Sequence, residues 1–232
     1  MSTKLPRSLG LIGGLGPLAT IYYYRELLAA HSALGQAARM MIANADNNRV
    51  LATVTAKDYD GLAHYLAELI RSTAAAGAEM TAIVAVTPHI CVPQLLRLSP
   101  LPLIDLVTEV AAHIRDRGLK RVAMFGTRFT VESNMFGRLE GIDIVMPRPD
   151  EIEQIHAAYM AVVHEHGGAD QVSGLRKLAH TMIKRDAVEA VLLAGTDLST
   201  VFDENNTDFP AIDCAAVHIE GIMRRLCDQQ SL

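Results

Sequence analysis

The stretch from Ala82 to Cys91, Ala-Ile-Val-Ala-Val-Thr-Pro-His-Ile-Cys, constrains the fold more than any other. Its first half is apolar without alternation, the pattern of a strand buried on both faces in a parallel sheet. The run stops at Thr87-Pro88-His89, and a second apolar pattern starts at once. The carboxyl end of the strand therefore delivers a hydroxyl and an imidazole into the turn before a helix, where open α/β sheets bind their ligands. About a hundred residues on there is a near copy. Ala190 to Leu198 reads Ala-Val-Leu-Leu-Ala-Gly-Thr-Asp-Leu, a second buried strand that ends in Gly195-Thr196-Asp197. A chain built twice, with one site made from two strand ends, is the expectation.

The rest of the chain alternates in the same sense. Leu9 to Gly13 reads as a strand and Gly14-Leu15-Gly16-Pro17 as its turn, with Pro17 placed as a first helical residue. The helix from Leu18 to Leu34 puts Ile21, Tyr24 and Leu28 on one face. Met40 to Ala45 is a strand closed by Asp46-Asn47-Asn48, Val50 to Asp60 reads as loop, and Leu62 to Ala76 as a helix ended by Gly77. After a brief strand at Leu103-Ile104-Asp105 and a helix from Val107 to Arg117, the pattern restarts. Strands follow at Val122 to Phe125 and Ile142 to Val145, with Gly126-Thr127 turning out of the first. Asp150 begins a long helix to Glu165 and would cap it. Gly167-Gly168 breaks that helix, Val172 to Arg185 is helical again, and a last helix runs from Ala215 to Cys227. The fold class expected is α/β: two pseudo-symmetric doubly wound domains with parallel sheets and the active-site cleft between them. The expected domains are 1–108 with 211–232, the last helix crossing back, and 109–210.

Composition removes several functions. At 232 residues and half hydrophobic, the chain can bury real cores. Its net charge of −5 is spread out, and the short basic start at Lys4 and Arg7 is no nucleic-acid surface. No apolar run is long enough to span a membrane, and Gly10 to Leu15 is too short and glycine-rich to read as a signal-peptide core, so no signal peptide is expected. Three cysteines, an odd number, read as free thiols in a reducing compartment, so a cytoplasmic location is expected. On that reading the glycosylation sequon Asn205-Asn206-Thr207 is a chance match.

Several segments together resemble the aspartate/glutamate racemase superfamily, which includes hydantoin racemases, maleate isomerases and arylmalonate decarboxylases. Leu11 to Thr20, Leu-Ile-Gly-Gly-Leu-Gly-Pro-Leu-Ala-Thr, is close to the aspartate racemase opening Ile-Ile-Gly-Gly-Met-Gly-Pro-x-Ala-Thr. Gly126-Thr127-Arg128-Phe129-Thr130 with Ser133 resembles the start of the family's second half. Ile212-Asp213-Cys214 with His218 resembles the closing Phe-Asp-Thr-Thr-x-x-His. The resemblance implies cofactor-independent proton transfer at the α-carbon of a small carboxylate, by two cysteines acting from opposite faces, in a homodimer. This sequence departs at both cysteines. Where the family has Cys-Asn-Thr-x-His it reads Ala85-Val86-Thr87-Pro88-His89, and where the family has Gly-Cys-Thr-Glu it reads Ala194-Gly195-Thr196-Asp197. Neither Ala85 nor Gly195 can carry a proton.

The candidate catalytic groups are then His89, Asp197 and Thr87. The candidate substrate contacts are Gly14, Leu15, Gly16, Asn44, Asp46, Val86, Thr127, Arg128, Gly195 and Thr196. The glycine turn offers backbone N–H groups at a helix start to an anion. The two threonines hold the substrate carboxylate in the family, although hydroxyls there also cap helices. His89 is a general acid or base, or only a local hydrogen-bonding group. Asp197 is a base, or a carboxylate favoured by a helix dipole. Asn44, Asp46 and Asn47 form a substrate rim or a plain polar turn. Arg128 pairs with a second substrate carboxylate or makes an inter-domain salt bridge. No metal or cofactor is assigned, because His113, His156, His164, His166 and His180 lack ligand spacing, and the cysteines read as small buried hydrophobes. A silent carboxylate-binding or regulatory homologue is the second reading. A dinucleotide-binding oxidoreductase is the third, because Gly14-x-Gly16-x-x-Ala19 imitates a dinucleotide fingerprint interrupted by Pro17.

Overall fold

The computed structural model describes residues 6–165, 169–202 and 207–227; Lys4, Asn205, Asn206, His166, Gly167 and Gly168 lie outside them. The fold is α/β with two four-stranded parallel sheets. The chain divides into two compact units. One takes the chain up to Leu106 together with the segment from His218, and the other takes Val107–Val217.

In the first unit, β1 (Leu9–Gly13), β2 (Met40–Asn44), β3 (Met80–Ile83) and β4 (Leu103–Ile104) lie in the order β2-β1-β3-β4. All three pairings are parallel. They are joined through α1 (Pro17–Ala33), α2 (Asn47–Thr55), α3 (Tyr59–Ala75), a 3₁₀ turn at Thr87–Cys91 and α4 (Val92–Leu98). Helix α5 (Leu106–Asp116) leads into the second unit. There β5 (Arg121–Phe125), β6 (Asp143–Ile144), β7 (Ala190–Leu193) and β8 (Ala211–Asp213) repeat the arrangement as β6-β5-β7-β8, again all parallel. The connecting helices are α6 (Arg128–Glu132), α7 (Pro149–Glu165), α8 (Ala169–Asp186) and a 3₁₀ turn at Thr196–Thr200, and α9 (Cys214–Cys227) follows β8.

This order fixes where a ligand belongs in each sheet. The chain leaves β1 to one side for β2, then crosses back over β1 to reach β3, so the winding reverses between β1 and β3. Helices diverge at such a point and leave a crevice at the carboxyl ends of the two strands. The same reversal falls between β5 and β7. The segments at these ends are Gly14–Gly16 with Ala85–His89, and Gly126–Arg128 with Gly195–Asp197.

Four expectations need correction. Residues 50–60 are mostly helical: the Asp46 carboxylate accepts from the N–H groups of Asn48 (2.9 Å) and Arg49 (3.2 Å), capping α2, and Val50 and Val54 are buried one turn apart. On α1 the buried face is Ala19, Tyr23, Leu27 and His31, whereas Ile21, Tyr24 and Leu28 are exposed. The helix carries large apolar residues on more than one face, so periodicity cannot choose which is buried. Long-range bonding does: the Tyr23 hydroxyl meets His218 Nδ1 at 3.0 Å. At the start of α7 the carboxylate that serves the backbone is that of Glu151, which accepts from the Arg148 N–H at 2.8 Å, and not that of Asp150. The strand expected at 142–145 is reduced to the two residues of β6.

His218 is the central polar group of the first unit. Its Nε2 donates to the Ile104 carbonyl at 2.9 Å, and with the ring neutral its Nδ1 accepts from the Tyr23 hydroxyl. Burial and the neighbouring His89 push its pKa down from 6.5 to about 3. His31, buried with no partner for either ring nitrogen among the described residues, is lowered by burial too. Both rings bind protons more readily in the unfolded chain, so stability is full above about pH 6.5 and falls as the pH drops towards 3. At about pH 5 the His218 contribution alone is a loss of about 2 kcal/mol. Urea unfolding across this range is expected to show that slope, and H218Q to be less stable at neutral pH with a visibly flatter profile.

Candidate active site

The turn after β1 is built from positions that exclude side chains. Gly14 has φ 79° and Gly16 φ 138°, conformations that favour glycine. A Cβ at Gly14 would lie 2.7 Å from the Ala45 carbonyl oxygen. Thr20, one turn into α1, closes the loop: its hydroxyl accepts from the Gly14 N–H at 2.9 Å and donates to the Gly16 carbonyl at 3.2 Å. The Gly14 amide is therefore engaged inside the turn. Leu15 is partly exposed beside it. Asn44, at the end of β2, is exposed and donates to the Ala45 carbonyl at 3.3 Å. Asp46 caps α2, and its own N–H donates to the Tyr65 hydroxyl at 2.7 Å.

Across the switch point, Ala85 and Val86 are buried and Thr87 is half-buried. Thr87 does not cap its turn: it is the first residue of the 3₁₀ turn, and the cap position falls on Val86. His89 is 0% exposed. Its Nδ1 donates back to the Ala85 carbonyl at 2.8 Å, and its Nε2 accepts from the Leu106 N–H at 3.3 Å, with Asp105 Oδ1 at 3.7 Å. The imidazole thus ties the end of β3 to the end of β4, and it meets His218 edge to face at 6.2 Å between centroids.

In the second unit Gly126 is the close-approach residue, since a Cβ there would lie 2.7 Å from the Ala194 carbonyl oxygen. Thr127 caps α6 by accepting from the Thr130 N–H at 3.1 Å. Arg128 makes its ion pair within this unit, with Glu153 of α7 at 2.5 Å, rather than the inter-domain bridge held open above. Its backbone N–H donates to His156 Nδ1 at 3.4 Å. Gly195 and Thr196 are buried, and the cap position of the second 3₁₀ turn is Gly195, so Thr196 does not cap either. Asp197 is 3% exposed and accepts from the Tyr159 hydroxyl at 2.8 Å. The Ser199 hydroxyl donates to Asp213 Oδ1 at 2.8 Å, and that oxygen also accepts from the N–H groups of Ala215 and Ala216. Ser199 therefore ties the β7 turn to the end of β8, as His89 does for β3 and β4.

Tyr159, His156 and Ser199 escape the sequence reading. Each is a single residue on a helix or turn with no motif around it, joined to the strand ends only by the fold. Among the described residues no group of three or more histidines, cysteines, aspartates or glutamates is placed to hold a metal ion. No helix among them is long and apolar enough to cross a membrane.

Cys91 and Cys214 are buried, but Cys227 is exposed, which corrects the expectation of three buried thiols. Burial pushes the Cys91 thiol up to about 12 and the Cys214 thiol well above its ordinary value, the charge of Asp213 adding to the second. Neither supplies thiolate at neutral pH. A chromogenic disulfide reagent is expected to titrate one thiol rapidly in the native protein, lost in C227S, and all three after denaturation.

The model of the family described as Asp/Glu/Hydantoin racemase matches residues 12–222. The fold is similar to that of an aspartate racemase homologue from Pyrococcus horikoshii, with TM-score 0.83 and 21% identity over 96% of this chain and 100% of that one. It is also similar to an aspartate racemase from Picrophilus torridus, with TM-score 0.70 and 22% identity over 94% of each chain. A glutamate racemase from Francisella tularensis, solved in complex with D-glutamate, gives TM-score 0.60 and 12% identity over 97% of this chain and 85% of that one. The two sheets are those of a racemase fold, and the chain belongs to the Asp/Glu/hydantoin racemase family.

Proposed function

We propose that this protein binds a small carboxylate, an amino acid or a dicarboxylate, and moves a proton at its α-carbon as an isomerase or lyase without the two thiols that the family resemblance implies. The observation that carries the reading is the pair Thr87 and Thr196. Each opens the turn after the third strand of its sheet, at the point where the winding reverses, and neither hydroxyl is used as a helix cap. On this reading the threonines and the backbone around Leu15, Gly16, Val86 and Gly195 receive carboxylate oxygens, while the engaged Gly14 amide shapes the turn. Asn44, Asp46, Thr127 and Arg128 stand at the rims.

Ala85 and Gly195 bring no ionisable group to the positions where the resemblance puts cysteines. Proton transfer then falls to Asp197, with His89 behind it. A base takes the α-proton, the electron pair delocalises into the substrate carboxylate, and the acid so formed returns the proton to the carbon. His89 is the weaker candidate, because using its ring requires breaking its bonds to Ala85 or Leu106. Racemisation of aspartate or glutamate at a rate typical of the family is not expected, since misplacing a proton-transfer group by about 1 Å already costs roughly a hundredfold. The same engaged imidazole favours, as a second reading, a catalytically silent carboxylate binder.

Thermal-shift measurements with aspartate, glutamate, malate, maleate and succinate are expected to show stabilisation by at least one of them, weakened in T87V and T196V. Stabilisation by a nucleotide and by no carboxylate would replace this reading with dinucleotide binding. Proton NMR of each enantiomer in D₂O then separates the chemistries. Exchange at the α-carbon with retention marks one-base catalysis. Exchange with inversion at turnover rates refutes the one-base assignment, and no exchange with any bound carboxylate leaves the silent binder.

A further inference from the structure

Helix α7 sends three side chains at three-residue spacing to the carboxyl ends of β5 and β7. Glu153 meets the Arg128 guanidinium, His156 the Arg128 N–H, and Tyr159 the Asp197 carboxylate. We infer that Tyr159 is a positioning residue that takes the place of a side chain at residue 195: its ring fills the volume beside Gly195, and its hydroxyl fixes the Asp197 carboxylate at the end of β7.

The steric half of the argument is direct. A Cβ at residue 195 would stand 2.9 Å from Tyr159 Cδ2 and 3.0 Å from Cζ, and closer still to Cε2. The obstacle is not the loose end of a flexible chain. Tyr159 belongs to the buried cluster that also holds Leu193, Leu198, Phe202 and Phe209, so moving the ring aside means repacking that core. A side chain at 195 and a tyrosine ring at 159 are therefore mutually exclusive, and the missing second thiol and the presence of Tyr159 are one feature.

The polar half follows from burial. Tyr159 is 8% exposed and Asp197 3%, and the 2.8 Å bond between them gives the carboxylate a donor that carries no charge. Burial and the Asp197 charge hold the phenol well above its ordinary pKa, so it keeps its proton and orients the carboxylate rather than acting as a base. That Asp197 is itself functional rests on the reading above; the exclusion and the bond do not.

Two experiments that need no turnover test the inference. Gly195→Cys is expected to lower Tm in the wild-type background but to leave it unchanged or raise it in Y159A, where the side chain enters the vacated space. An equal loss in both backgrounds would overturn the exclusion. Ultraviolet titration of tyrosinate, wild type minus Y159F, is expected to place Tyr159 above free tyrosine and to bring it down in D197N. A Tyr159 titration indifferent to D197N would overturn the positioning role even if Y159A fails to fold. A carboxylate-induced thermal shift that is present in wild type and reduced in Y159F would tie the pair to the ligand. No shift in wild type would instead count against carboxylate binding and leave the other two results standing.

Discussion

Parallel pairing brings the backbones of two strands side by side at their carboxyl ends, and the turns that leave them have almost no room for side chains. The rest of each unit is arranged around that restriction. At the end of β5 the Ala194 carbonyl lies where a Cβ on Gly126 would go, and at the end of β1 the Thr20 side chain does the same for Gly13. Small residues at these ends keep the crevice open, but they also strip it of chemistry. Side chains then reach these ends from elsewhere: Thr87 and Thr196 from the turns, Asp197 from the residue after, and Tyr159 from a helix.

Much of this was legible in the residues because it is periodic or local. Unbroken apolar runs marked β3 and β7, the glycine turns marked where β1 and β5 end, and the repeat of the two patterns foretold two parallel sheets. Partners far apart in sequence were not legible. His89 is explained by Leu106, seventeen positions on, and Tyr159 by Asp197, thirty-eight positions on. An apolar run such as α1 does not say which face is buried, and α2 was missed because its cap, Asp46, looked like the close of a turn. Left-handed backbone at Asn134, Met135 and Phe136 was equally invisible. Such conformations cost roughly 1–2 kcal/mol each away from glycine and asparagine, and nothing in the side chains of Met135 and Phe136 announces them.

The two units share a strand order but not a chemistry. In the first, two imidazoles lie edge to face in the interior, where two positive charges could not coexist at 6.2 Å without large loss. The contacts avoid this by giving them opposite tautomers: His89 donates through Nδ1 and His218 through Nε2, and each accepts at its other nitrogen. Every ring nitrogen of that pair is spent on holding strand ends and α1 in place. The two imidazoles of the first unit are therefore engaged in holding its strand ends together. In the second unit the corresponding turn holds a buried carboxylate that accepts from an uncharged phenol at 2.8 Å. There the ring of Tyr159 stands where a Cβ on Gly195 would go, so in this unit a helix, and not the turn itself, supplies the side chain at the strand end.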